Sequence, residues 1–253
     1  MKGNQPFLAA PLAVVALIGL IFAFHAVYYW GNDYVRNYIV FWGGFLPLRL
    51  SGEVSLLYPD VPARGIWGLI SYAFVHGSWE HVGVNALWLL VFGTLVARRL
   101  GSWRFLLLFC LGAMGAAGLH ALVGVRDEFL IGASGGVAAM FGAAARFAFH
   151  GPWQDWARPQ ERIPLLSISE VARNRPVLVL LGVWVAADAL FALQGISFSG
   201  MPIQIAWGAH LGGALSGFLL IWVLDQPVYS ASGGPGQVDY GAWPGARKRP
   251  PQE

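Results

Sequence analysis

Six apolar runs constrain this chain before anything else, at about residues 7 to 29, 79 to 97, 103 to 123, 134 to 149, 176 to 194 and 203 to 224. Each approaches the roughly 20 residues that an α-helix needs to cross the hydrocarbon layer of a bilayer. The composition agrees: 57% of the residues are hydrophobic, 11% are charged and 12 are Trp. That balance excludes an ordinary soluble domain. The expected fold is an all-α polytopic membrane protein. The first run is too long for a signal-peptide core and no A-x-A site follows it, so it reads as an uncleaved helix. Residues 1–6 ahead of it form a short segment with no room for a soluble domain.

Charge orients the chain, because Lys and Arg concentrate in cytoplasmic loops. With a cytoplasmic N-terminus, Lys2, Arg98, Arg99, Arg104, Arg146, Arg158, Arg162, Arg173, Arg175, Arg247, Lys248 and Arg249 face inward, and only Arg36, Arg49, Arg64 and Arg126 face outward. Six crossings with both termini inside follow from that asymmetry. The net charge of +3 is therefore an orientation signal and gives no support for nucleic-acid binding. Cys110, the single cysteine, excludes an intramolecular disulfide and reads as a buried thiol.

A membrane domain is expected over residues 7–225. Within it, residues 30–78 form a long external connection, too aromatic and too punctuated by Gly and Pro to float in water, and predicted to lie in the membrane interface. Residues 150–175 are polar, basic and broken by Pro152, Pro159 and Pro164, the pattern of a cytoplasmic connector. Gly195 to Pro202 is an uncharged loop that turns the chain or caps a cavity. The Gly- and Pro-rich tail 226–253 is expected to be disordered and cytoplasmic.

Three distant segments place unusual polar residues in the early turns of the second, fourth and sixth spans, all of which start on the outer side. "VHGSWEHVGVNALW" carries His76, His81 and Asn85, "IGASGG" carries Ser134, and "WGAHLGGALSG" carries His210. Polar side chains in a membrane need partners or a water-filled cavity, and each residue alone is most simply a helix-to-helix hydrogen bond. His81 and Asn85 are four apart and share a helix face. A serine hydroxyl becomes nucleophilic when a base takes its proton, and histidine is the usual base. Ser134 is flanked by Gly132, Gly135 and Gly136, and His210 by Gly212, Gly213 and Gly217, so small residues permit the close approach that such a pair requires.

No acid stands in these motifs to complete a triad: Asp188 lies in the fifth span and Asp225 at the inner end of the sixth. A Ser134–His210 dyad is the economical reading. His81, Asn85 and the amide of Ser134 at a helix N-terminus are the candidate oxyanion donors. A metal site competes poorly, because His76 and His81 are five apart and no H-E-x-x-H occurs. His25, His120 and His150 stand alone as packing, interhelical or interfacial residues.

Together these motifs resemble the rhomboid family of intramembrane serine proteases. The match rests on H-x4-H-x3-N at His76, His81 and Asn85, on G-x-S-G at Gly132 to Gly135, and on A-H-x2-G-x3-G at Ala209 to Gly217, and it runs from about Trp67 to Asp225. The resemblance implies a six-transmembrane-helix rhomboid core, Ser134 as nucleophile, His210 as general base, and His81 and Asn85 at the oxyanion site. It gives His76 a structural or water-retaining role, assigns the first loop to the interface and the loop after the fifth helix to an active-site cap, and requires no cofactor. Substrates would be single-pass membrane proteins cut within or beside a helix that unwinds at small residues. Three positions depart from the pattern: Gly68 follows Trp67 where many members carry Arg, Ala97 replaces a frequent Glu, and Ala138 stands where many place an aromatic ring against the histidine.

The expected activity is therefore a serine endopeptidase of a bacterial cell membrane, opening to the external face, with membrane lipids and single-pass proteins as partners. The alternative is a non-catalytic rhomboid-like protein that binds or escorts transmembrane helices; loss of the serine or histidine is its expected mark, and both are present. A transporter would carry inverted repeats, and none is visible. Substrate identity and oligomeric state leave no trace in the sequence.

Overall fold

The computed structural model describes residues 10–52, 54, 65–124, 126–149, 164–194 and 206–225. The expected cap at 195–202, His150, most of the 150–175 connector and the tail lie outside these residues. Among the described residues there are helices and a single isolated bridge, Phe45 to Leu130.

The first span is α1 (Leu12–Trp30), and its buried residues Val14, Leu17, Ile21 and His25 recur at helical spacing. That stripe faces the other helices. Its opposite side exposes large apolar residues such as Leu20, Phe24 and Val27, a surface suited to acyl chains and not to water.

The connection between the first two spans contains short helices, α2 (Asp33–Gly43), α3 (Leu48–Ser51) and α4 (Gly68–Ser71). Asn32 caps α2 by accepting from the Val35 amide. The loop is fastened by Arg49, which is 1% exposed, donates through Nη2 to the Phe41 carbonyl at 2.6 Å, and sits 4.5 Å over the Phe41 ring. Burial lowers its pKa from the usual guanidinium value. Trp67 donates its indole N–H to the Trp42 carbonyl, and Ser71 its hydroxyl to the Gly43 carbonyl, both at 2.7 Å. Gly68 itself lies against Gly44 and Phe45, where an added Cβ would stand 3.3 Å from the Gly44 carbonyl oxygen. A glycine fits this packing, and the arginine of the loop comes from position 49.

The second and third spans are α5 (Trp79–Trp88), a π-helical stretch Leu89–Gly93, and α6 (Thr94–Val123). Gly101, at φ 77° and ψ 167°, breaks α6. A Cβ on Gly93 would lie 3.3 Å from the Phe105 ring, although twelve residues of straight helix rise about 18 Å. The chain therefore folds back at Gly101, in the left-handed region that favours glycine.

The fourth span, α7 (Ser134–Ala144), is buried along almost its whole length. It ends five residues before the expected Phe149, because 145–149 wind into tight turns with Arg146 N–H bonded to the Ala143 carbonyl and Phe147 N–H to that of Ala144. Past the stop, the Arg146 carbonyl accepts the Leu166 N–H, and its guanidinium donates to the Leu166 carbonyl at 2.6 Å and the Phe218 carbonyl at 3.0 Å. After α8 (Ile168–Val171), closed by a Ser167–Glu170 capping box, come α9 (Arg175–Gln194) and α10 (Trp207–Leu224).

Small residues let α7 sit directly against its neighbours. An added Cβ would collide with the Gly135 carbonyl from Gly213, with the Ala139 carbonyl from Gly217, and with the Ala214 carbonyl from Gly142. The α7 and α10 backbones thus touch over two turns. At the C-terminal end of α10 Arg99, 3% exposed in its side chain, holds Asp225 through two bonds of 2.9 and 2.7 Å and lies over Phe147. Ala97 offers no acid to the basic pair, and α10 supplies one.

Candidate active site

The approach to Ser134 is built by its preceding turn. Leu130 exchanges both backbone bonds with Phe45, which ties the segment to the interface loop. Gly132 then takes φ 111° while its N–H bonds the Tyr72 carbonyl at 2.9 Å. A Cβ there would be 2.6 Å from both Cε1 and Nε2 of His81. Glycine is thus required twice, by its dihedral angle and by the imidazole packed on it.

His76 fixes the next residue. Its buried Nε2 accepts the Ala133 N–H at 3.1 Å, which leaves the ring proton to Nδ1 in the neutral form. In turn the His25 Nδ1–H donates to the His76 carbonyl at 3.1 Å. The His76 and His81 rings are neighbours, 4.9 Å between centroids and inclined by 66°. Asn85 is buried one turn beyond His81 and donates its side-chain amide to the His81 carbonyl at 2.9 Å.

Ser134 is the first residue of α7, where backbone N–H groups have no intrahelical partner. It is half-buried, as is His210 in the first turns of α10. The Gly135–Gly213 backbone contact joins the two helices one residue after Ser134 and three after His210. The head of α7 thus meets α5 through Gly132 against His81, the turn before α5 through the Ala133 amide on His76, and α10 through Gly135 against Gly213, while Asn85 is tied to the His81 carbonyl. Gly217 serves the same helix contact one turn further in. Asp225 is engaged by Arg99 at the opposite end, and the Asp188 side chain lies outside the described residues.

Two supports, Tyr72 and Trp184, escaped the sequence reading, and a third, His25, was read there only as a packing, interhelical or interfacial residue. Tyr72 carries Gly132 on its carbonyl and bonds the Ala113 carbonyl of α6 through its hydroxyl at 3.0 Å. His25 steadies His76 from α1; a histidine in an apolar span was the available signal. Trp184 of α9 lies 6.1 Å from the His210 ring between centroids.

Comparison with known proteins converges on the same region. Residues 63–227 match the rhomboid domain. The chain is 30% identical over 180 residues to Rhomboid-like protein 11, chloroplastic, of Arabidopsis thaliana, covering 70% of this chain and 59% of that one. It is 26% identical to Rhomboid protein 1, mitochondrial, of Saccharomyces cerevisiae, over 86% of this chain and 65% of that one. Rhomboid protease GlpG of Serratia proteamaculans is 28% identical, over 70% of this chain and 56% of its own length. The chain thus spans well under two thirds of some of these relatives. A matched domain that takes in His76, His81, Asn85, Ser134 and His210, on apolar helices of the expected order, means that this chain belongs to the rhomboid family.

Proposed function

We propose that the protein is an intramembrane serine endopeptidase that hydrolyses peptide bonds within or next to transmembrane helices of single-pass membrane proteins. The observation that carries this reading is the backbone contact between α7 and α10 at Gly135 and Gly213, with the His81 ring packed on the turn before Ser134. Family membership and the printed name of the Serratia relative support it.

In the reaction, Ser134 Oγ attacks the scissile carbonyl carbon while His210 takes its proton. The oxyanion is held by the Ser134 amide, the His81 ring and the Asn85 side chain. Collapse breaks the C–N bond, His210 returns the proton to the leaving amine, and an ester to Ser134 remains. Water, deprotonated by His210, then attacks the ester carbonyl; the bond to Ser134 Oγ breaks as His210 returns the proton to that oxygen, and the acid is released. The chemistry draws on these side chains and water, with no cofactor. Both termini are assigned to the cytoplasm and the site to the external face, on the distribution of Lys and Arg; a bacterial cell membrane is the proposed setting, with lipids and substrate helices as partners.

The test compares the wild type with Ser134→Ala and His210→Ala in liposomes containing a panel of single-pass helices, with new termini identified by mass spectrometry and Ser134 labelled by a fluorophosphonate. Cleavage and labelling by the wild type alone are expected. Equal cleavage by either variant refutes the dyad. A folded wild type that neither cleaves nor labels refutes the protease reading and leaves helix binding as the function to pursue.

A further inference from the structure

Ala138, four residues after Ser134, is 3% exposed and brings no ring toward His210. A ring arrives from another helix. Along α9, buried Val177 and half-buried Leu180, Leu181 and Trp184 form a stripe with spacings of three, one and three, while residues 178, 179, 182, 183, 185 and 186 are exposed. Trp184 is the residue of that stripe that reaches the site.

Its surroundings are specific. The indole stacks on Phe141 of α7, 5.2 Å between centroids at 30°, and Phe141 is held edge-on by Phe92 at 5.1 Å. The other neighbour is the His210 imidazole, at 6.1 Å and 43°. Both pairs fall within the 4.5–7 Å range in which aromatic rings attract. An imidazole turns broadly about χ2, so a tilted ring beside it narrows the range from which it can meet a hydroxyl.

Building on the protease reading, we propose that Trp184 is a positioning residue for the reaction: its indole packs against His210 and holds the imidazole toward Ser134, so that the base is set when α9 is docked on the bundle. Trp184 touches neither substrate nor reacting atoms. Its effect passes through His210, and it should act on turnover rather than on substrate binding.

The experiment uses the full chain in liposomes with Trp184→Phe, Trp184→Leu and Trp184→Ala, following cleavage of one single-pass substrate and fluorophosphonate labelling of Ser134. The small probe separates the histidine from helix entry, since it needs no parting of helices. We expect Trp184→Phe to stay within about twofold of wild type, and Trp184→Leu to lose about five- to tenfold in kcat at unchanged KM, with labelling slowed by the same factor. Trp184→Ala should match Leu; if its unfolding midpoint falls, the Leu and Phe pair carries the comparison. Equal rates for Leu and Phe overturn the proposal, as does faster cleavage by Leu, which would make Trp184 packing that substrate must displace. A wild type that neither labels nor cleaves removes the protease reading first, and this one with it.

Discussion

Gly132→Ala tests whether the turn before Ser134 is part of the machinery. The new Cβ would begin 2.6 Å from Cε1 and Nε2 of His81, whereas optimal carbon contact starts at about 3.5 Å. Ring or turn must therefore yield by about 0.9 Å. A misplacement near 1 Å costs on the order of 100-fold in rate, and losing one oxyanion donor costs about 100- to 1,000-fold. Placing a side chain at φ 111° adds strain of about 1–3 kcal/mol. The expected result is a kcat lowered by about 100-fold with an unfolding midpoint only moderately reduced, measured on a single-pass substrate in liposomes and by thermal unfolding in micelles. Gly118→Ala is the control, since its Cβ would meet nothing within 4 Å. Gly132→Ala with wild-type kcat would show that neither the His81 ring nor this turn takes part in the chemistry.

Asp225→Ala leaves Arg99 buried without its carboxylate and should destabilise by about 3 kcal/mol, read as a lower unfolding midpoint, with most of the loss recovered in the Arg99→Met, Asp225→Ala double variant. Gly217→Ala presses a methyl into the Ala139 carbonyl and should cost about 1–3 kcal/mol by forcing α7 and α10 apart, whereas Gly83→Ala, with open space, should leave the midpoint unchanged. Asn85→Ala should lower kcat partially, because the Ser134 amide and His81 remain; unchanged kcat would remove Asn85 from the oxyanion site. Asp188→Asn should retain most activity, and a loss as deep as that of Ser134→Ala would revive a triad.

The apolar runs and the candidate site residues were legible because both are written locally. Hydrophobic length reveals α1 and α10, and the spacing of His81 and Asn85 on one helix face needs no tertiary knowledge. The end of α7 was not legible: after Ser134 the run to 149 is apolar except for Arg146, whose guanidinium, just past the end of the helix, reaches the carbonyls of Leu166 and Phe218. Those partners lie 20 and 72 residues away. The role of His76 was half-legible. Its place in the motif was evident, but its bond to the Ala133 amide depends on how the interface loop folds over α7.

The three departures at Gly68, Ala97 and Ala138 share one physical logic. Each removes a side chain from its expected position in sequence, and in each case a similar group occupies the neighbourhood from another element. Arg49 enters the aromatic loop beside Trp67, Asp225 neutralises Arg99, and Trp184 faces His210. A buried guanidinium needs a carbonyl, a carboxylate or an aromatic face, and is indifferent to which helix supplies it. An imidazole packed by an indole is equally indifferent to the indole's place in the chain. Because α7 is wedged against both α6 and α10, the space around it is set by backbone contact, and a group lost from one helix can be replaced from any helix bordering that space. A motif read along one chain therefore points to the candidate reacting groups, which the proposal places at fixed points on α7 and α10, more readily than to the groups packed around them.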